Sequence, residues 1–321
     1  MQILLTLALL TVGFGSPAFA NENPAEETHL FDRVVITGAS LSAGYGLQQE
    51  LEADADFATI FSSAIHSDAA QVHTHASLGF FASPSSTAKR LLVDSLQEEP
   101  TLMVALDFLF WFGHGRIGDD EARMTHLKEG LALLESVGCP LVIADFPDMT
   151  VALKGVNPFG IEFIVPDMLP SEESRNEMNA VIHAWGKERK HVMVVPLALF
   201  MKRMISDQAV ELRGNEWKGS QKTKILQEDL LHPTVAGNVG LTVLTLDALA
   251  QGITEFCTPC VRWSADEINT RLLEVTQKER DKNQKRARKR EERRRKRDEK
   301  KRDGQESLQW SPRANEFARS F

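Results

Sequence analysis

Five short runs of apolar and β-branched residues, at 33–37, 71–76, 101–106, 140–144 and 192–197, punctuate the middle of the chain. Between them lie stretches at 88–97, 121–137, 172–187 and 236–251 whose apolar positions recur every three and four residues. The first pattern is that of buried strands and the second that of helices lying on a sheet. Their alternation predicts repeated β-α-β units, hence an α/β fold: a five-stranded parallel, doubly wound sheet between two helical layers. Side chains just after the strands gather at one edge of such a sheet, where ligands bind.

Three candidate segments come at or just after the end of a predicted strand. Ser40 follows the first, Gly79 the second, and Asp107 ends the third. The stretch 145–169, rich in Pro and Gly, follows the fourth and reads as an excursion that walls a pocket. Late in the chain stands Asp229-Leu230-Leu231-His232-Pro233. A serine hydroxyl is a poor nucleophile at neutral pH; it needs an imidazole to take its proton and an acid to hold that imidazole in the useful tautomer. Ser40, His232 and Asp229 supply those three groups. The spacing of three lets one turn of chain present both Asp229 and His232.

Gly38-Ala39-Ser40-Leu41-Ser42, with Gly44 after it, and the later Asp-x-x-His-Pro resemble the two terminal blocks of the SGNH hydrolases, also called GDSL esterases and lipases. The likeness covers most of residues 33–250. It implies a flavodoxin-like three-layer fold and hydrolysis of acyl or O-acetyl carboxylic esters by Ser40, His232 and Asp229, with no metal or organic cofactor. It also implies an oxyanion hole from the backbone N–H groups of Ser40 and Gly79 and a third donor, an Asn side chain. That Asn has no clear counterpart. Asp107 is the nearest polar group, and an ionised carboxylate accepts hydrogen bonds without donating them. A protonated Asp107, Asn157 or His114 are the alternatives. Ala39 stands where the family has Asp. The Gly-x-Ser-x-Gly elbow of α/β-hydrolases fits less well, because Ser42 replaces its second glycine. Ser42 itself reads as a turn-stabilising hydroxyl. A catalytically silent binding protein on the same fold is the rival reading.

Composition changes the picture at the two ends. Residues 1–20 read as a signal peptide, with an apolar core over 4–12 and Ala18-Phe19-Ala20 as cleavage site, so the protein is expected to be secreted or periplasmic; an uncleaved anchor is the alternative. The block from Lys278 to Arg302 carries a net charge of +10 in a chain of net −8, leaving about −18 for the rest. The segment 263–321 is therefore expected to be a solvated tail, helical or disordered. It is either a plain linker or an arm for anionic lipid, nucleic acid or acidic polymer. The remainder, 29–262, is one domain.

Three cysteines do not hold a fold together; Cys257 and Cys260 can close a small bridge or stay as thiols, and Cys139 is left single. His73 and His75 fall on one strand face without a third metal ligand in view. The aromatic run 108–112 reads as core for at least half of its rings. With Phe80, Phe81, Phe146 and Phe159 it could also line an apolar acyl site.

Overall fold

The computed structural model describes residues 29–156, 163–206, 208–217, 225–254 and 256–309, the last ten of these in their backbone only. The expected signal peptide, Asn157 and Phe159 lie outside them. Five strands, β1 (Arg33–Gly38), β2 (Gln71–Ala76), β3 (Leu102–Ala105), β4 (Leu141–Ala144) and β5 (Val192–Val195), form one sheet in the order β2-β1-β3-β4-β5. Every neighbouring pair is parallel. The chain leaves β1 to build β2 on one side and then crosses to build β3 on the other, so the direction of winding reverses between β1 and β3. The loops after those two strands diverge there and leave a crevice. Ser40 and Asp107 stand at its two lips.

Alternation along the strands distributes the core. Val34, Ile36, Leu102, Val104, Val142 and Val195 feed one buried cluster, and Met103, Ala105, Leu141, Ile143 and Val192 feed the other. The first is covered by α1 (Leu47–Leu51), α2 (Phe57–Ser63), α7 (Leu197–Ile205), α8 (Val235–Gly252) and the start of α9 (Ala265–Gln309). The second is covered by α3 (Pro84–Gln97), α4 (Phe110–Gly113), α5 (Asp120–Leu134) and α6 (Glu172–Lys187). A two-stranded hairpin, β6 (Val210–Leu212) and β7 (Asn215–Trp217), comes after α7. Side-chain caps fix where the helices begin: Asp56 for α2, Asp119 for α5, Ser171 for α6 and Thr234 for α8.

The tail is helical, one of its two expected forms, but its start is packed. α9 runs for 45 residues, and its first turns bury Ile268 and Leu272 in the core at 0% and 1% exposure. The domain boundary expected at residue 262 therefore moves into the helix, because an apolar pair four apart gives α9 one buried stripe. Cys257 and Cys260 are bridged and Cys139 is free, its thiol pushed up to about 11 by burial. Among the described residues no helix is long and apolar enough to cross a membrane.

Candidate active site

The turn after β1 carries Ser40. Gly38 makes it possible, because a Cβ there would stand 2.0 Å from Asp107 Oδ1. The turn closes by Ala43 N–H donating to Ala39 O and Tyr45 N–H donating to Ser40 O, at 3.0 and 2.9 Å. Its inner side rests on Asp107: Oδ2 accepts from the N–H of Leu41 at 2.8 Å and of Ser42 at 3.3 Å, and Oδ1 accepts from Ser42 Oγ at 2.6 Å. Among the described residues no hydrogen bond from the Ser40 N–H is found.

The segment before α8 carries the other two groups. Leu230 adopts the left-handed conformation at φ 52°, which curls the chain so that Asp229 Oδ1 accepts from the N–H of Leu231 and of His232, both at 3.0 Å. Asp229 Oδ2 lies 2.7 Å from His232 Nδ1, and His232 Nε2 lies 2.8 Å from Ser40 Oγ. A carboxylate can only accept, so Nδ1 carries the hydrogen and the Nε2 lone pair is left for the serine hydroxyl. Burial raises the Asp229 carboxyl, but the His232 ring and the two amides outweigh it and hold the group below the usual carboxylate range. Asp229 is therefore ionised at neutral pH.

Two further contacts lock the turn to the histidine segment. Gln227 Nε2 donates to Tyr45 O at 2.7 Å and to Pro233 O at 2.8 Å, and Gln227 N–H donates to His232 O. Gly155 lies so close that a Cβ would be 1.8 Å from Asp229 O. The Tyr45 ring packs on the imidazole at 4.2 Å, with Phe163 edge-on at 5.8 Å. Burial and the charge of Asp229 raise the Tyr45 phenol, so it stays neutral.

Beside Ser40 opens a cavity whose wall is almost wholly apolar, formed by Phe110, Trp111 and Phe146 on the side of one buried cluster and by Leu106, Phe200 and Leu241 on the side of the other. Asp145 also lines it. Its Oδ1 accepts from Ala198 N–H at the start of α7 and its Oδ2 from His183 Nε2, at 2.7 and 3.0 Å, which fixes α7 against β4.

The structure brings Ser40, His232 and Asp229 together but places the other expected site residues differently. Asp107, the nearest polar group expected at an oxyanion hole, turns inward instead: both oxygens accept from the Leu41 and Ser42 donors, and it braces the Ser40 turn. Burial raises its pKa against the lowering effect of those bonds. Gly79 N–H donates to Ser77 Oγ at 3.3 Å within its own loop, and Gly79 is not among the cavity-lining residues. His114 sits behind the wall, stacked on Phe110 at 4.1 Å, with Nδ1–H spent on Phe110 O; burial lowers its pKa to about 3. Leu106, next to Asp107, lines the cavity and offers no side-chain donor. Phe80, Phe108 and Phe112 are core, Phe110, Trp111 and Phe146 wall, and Phe81 is exposed. His75 faces Glu98 at 3.3 Å, and among the described residues no cluster suited to a metal ion occurs. Sequence reasoning missed Tyr45, Gln227 and His183. For Tyr45 a signal existed: it is the chain's single tyrosine, five residues after Ser40.

Fold and site together give a doubly wound α/β protein with Ser40, His232 and Asp229 hydrogen-bonded in line at the switch point of its sheet. No protein-family model and no curated protein matches the sequence. Similar solved structures include the lipase/acylhydrolase from Enterococcus faecalis, at 17% identity over 68% of this chain and 95% of that one, with a TM-score of 0.43. Another is the psychrotrophic esterase EstA from Pseudoalteromonas sp., at 15% identity over 68% and 97% of the two chains, with a TM-score of 0.41. At such identities and overlaps the functional reading rests on the site's own geometry.

Proposed function

We propose that this protein is an exported serine esterase that hydrolyses carboxylic esters of apolar acyl groups. The observation that carries the reading is the continuous relay from Ser40 Oγ through the His232 ring to Asp229, at 2.8 and 2.7 Å. Ser40 Oγ bonds to the ester carbonyl carbon as its proton passes to Nε2. Asp229 stabilises the imidazolium that forms. On collapse the carbon–alkoxide bond breaks and the leaving alcohol takes the proton from Nε2. Water then attacks the acyl-serine, giving its proton to Nε2, and the acid departs with the Ser40 hydroxyl restored.

Negative charge on the carbonyl oxygen meets the Ser40 N–H. Leu106 adds no donor, and one missing donor of this kind costs roughly 10²–10³ in rate, so turnover is slow for the class. The apolar cavity takes the acyl portion.

The rival, a silent binding protein that keeps the pocket, draws on the same Leu106. A fluorophosphonate probe separates the two. Covalent labelling that disappears in Ser40→Ala and in His232→Ala, with hydrolysis of p-nitrophenyl acyl esters lost in the same variants, is the expected result. A folded protein that neither labels nor hydrolyses, yet binds an acyl ester, is the silent fold.

A further inference from the structure

Building on the esterase reading, we propose that Tyr45 is a positioning residue for the base: its ring face steadies the positive charge that His232 takes up and so sets how strong a base the imidazole is. The turn after β1 is shaped to put the ring there. Tyr45 stands between Gly44 and Gly46, both left-handed, at φ 71° and 81°. A Cβ on Gly44 would lie 2.5 Å from Ala55 O, so the turn closes only with glycine. The Tyr45 backbone is then held from both halves of the site. Its N–H donates to Ser40 O at 2.9 Å, and its C=O accepts from Gln227 Nε2 at 2.7 Å. The ring so placed lies 4.2 Å from the His232 ring, centroid to centroid, with 33° between the planes. Phe163 stands edge-on to both, at 5.6 and 5.8 Å.

His232 is only 5% exposed, so an imidazolium formed there draws little from water. Asp229 meets it at Nδ1, on the ring's edge, and Tyr45 covers the face. An aromatic face carries negative charge density and attracts a cation within about 6 Å of its centroid, most strongly where water is excluded. The phenol is not needed for this. Burial and the charge of Asp229 keep it neutral, and phenylalanine offers a similar face. Tyr45 is not among the cavity-lining residues, so its effect reaches the substrate through the base.

The other ionisable groups near the ring are Asp107 and Asp145 on the cavity wall, the latter with His183 behind it. Glu50 accepts Val235 N–H at the start of α8, and Glu228 beside Asp229 is exposed. A substitution at Tyr45 keeps all of them, so the share of the ring can be read, and its sign is distinctive. Loss of an attractive face makes the imidazolium less stable and lowers the pKa of His232. Loss of a mere cover admits water, which favours the charged form and raises it.

The test is the NMR titration of the His232 ring in the full chain, its signal assigned by its loss in His232→Gln; it needs no turnover. Tyr45→Leu is expected to lower the midpoint by about 0.5–1 pH unit, the range of a ring–cation contact, and Tyr45→Phe to keep it near the parent value. On a p-nitrophenyl ester the rising limb of kcat against pH shifts the same way in Tyr45→Leu. Its plateau falls by roughly three- to tenfold with KM held, because the same charge forms in the transition state, and Tyr45→Phe restores it. A midpoint that stays or rises in Tyr45→Leu overturns the proposal. So does an equal fall in Tyr45→Phe, which assigns the effect to the hydroxyl. Tyr45→Met carries the same comparison if the leucine variant does not fold. A parent protein that does not hydrolyse, with the titration shifts as expected, ends the esterase reading and upholds the contact between ring and imidazolium.

Discussion

Two buried carboxylates support the site, one bonded to the Ser40 turn and the other to the histidine segment, and they are built almost alike. Asp107 and Asp229 each take backbone N–H groups from a neighbouring turn and one side-chain donor. Yet their pKa values move in opposite directions. Around Asp229 the third donor is an imidazole that can become a cation, so the ionised form is held. Around Asp107 it is the Ser42 hydroxyl, and burial dominates. Two things differ: Asp107 is the more fully desolvated, and only the partner of Asp229 can take up charge. One carboxylate is placed to share a proton relay, the other to hold a turn in shape.

The comparison breaks most visibly if Asp229 loses its charge. In Asp229→Asn the amide nitrogen can donate to His232 Nδ1, which forces the hydrogen onto Nε2 and turns it toward Ser40 Oγ. The base is then blocked, and kcat is expected to fall by roughly 10⁴ with KM little changed. Steady-state rates on a p-nitrophenyl ester, with a melting curve to show that the fold persists, check this. A loss below tenfold would mean that Asp229 does not set the tautomer.

Asp107 should answer in stability. Asp107→Ala strands the Leu41 and Ser42 donors in a buried place, at a cost of about 3 kcal/mol. Asp107→Asn retains an acceptor and costs less than about 1 kcal/mol at neutral pH. The two carboxylates also give opposite pH slopes. Asp107, raised on folding, keeps its proton longer in the native state than in the unfolded chain, so its ionisation takes stability away as pH rises above about 4 through the folded value. Asp229, lowered, contributes stability that is present above about 4 and lost as pH falls through its folded value. Urea midpoints from pH 3 to 7 should therefore show Asp107→Asn gaining on the parent protein as pH rises. Asp229→Asn should lose its deficit as pH falls. Parallel curves for all three proteins would refute both assignments.

This contrast marks how far the sequence can be read. The strands and long helices stood out because a buried face repeats over enough residues to show its period. α1, α2 and α7 span only 5, 7 and 9 residues, too few for that. The fifth strand was expected to reach residue 197, but Pro196 lacks an N–H and Asp145 draws the next residues into α7. Ile268 and Leu272 were hidden by the charge around them. Ser40, Asp229 and His232 were legible because each sits in a motif only a few residues long. The brace from Asp107 to Leu41 spans 66 positions and that from Gln227 to Tyr45 spans 182, and no local pattern records such pairings. Nor could residue types alone tell that a carboxylate beside the nucleophile would turn inward.

The smallest expected effect tests whether the two loops are aligned by a separate clamp. Gln227 joins the Ser40 turn to the histidine segment through one amide nitrogen that serves two carbonyls, and its backbone N–H holds His232 O besides. Gly46, at φ 81°, leaves room for that side chain, since a Cβ there would lie 2.1 Å from Gln227 Oε1. Gln227→Ala removes the side-chain links and leaves the backbone bond, so stability should fall by about 1–2 kcal/mol. A shift of a few tenths of an ångström between Ser40 and His232 bears on proton transfer more than on binding, so kcat should drop about tenfold while KM holds. Gln227→Glu puts an acceptor where a donor is needed and should not rescue. If KM rises instead and kcat is kept, the residue shapes the pocket and the clamp lies elsewhere.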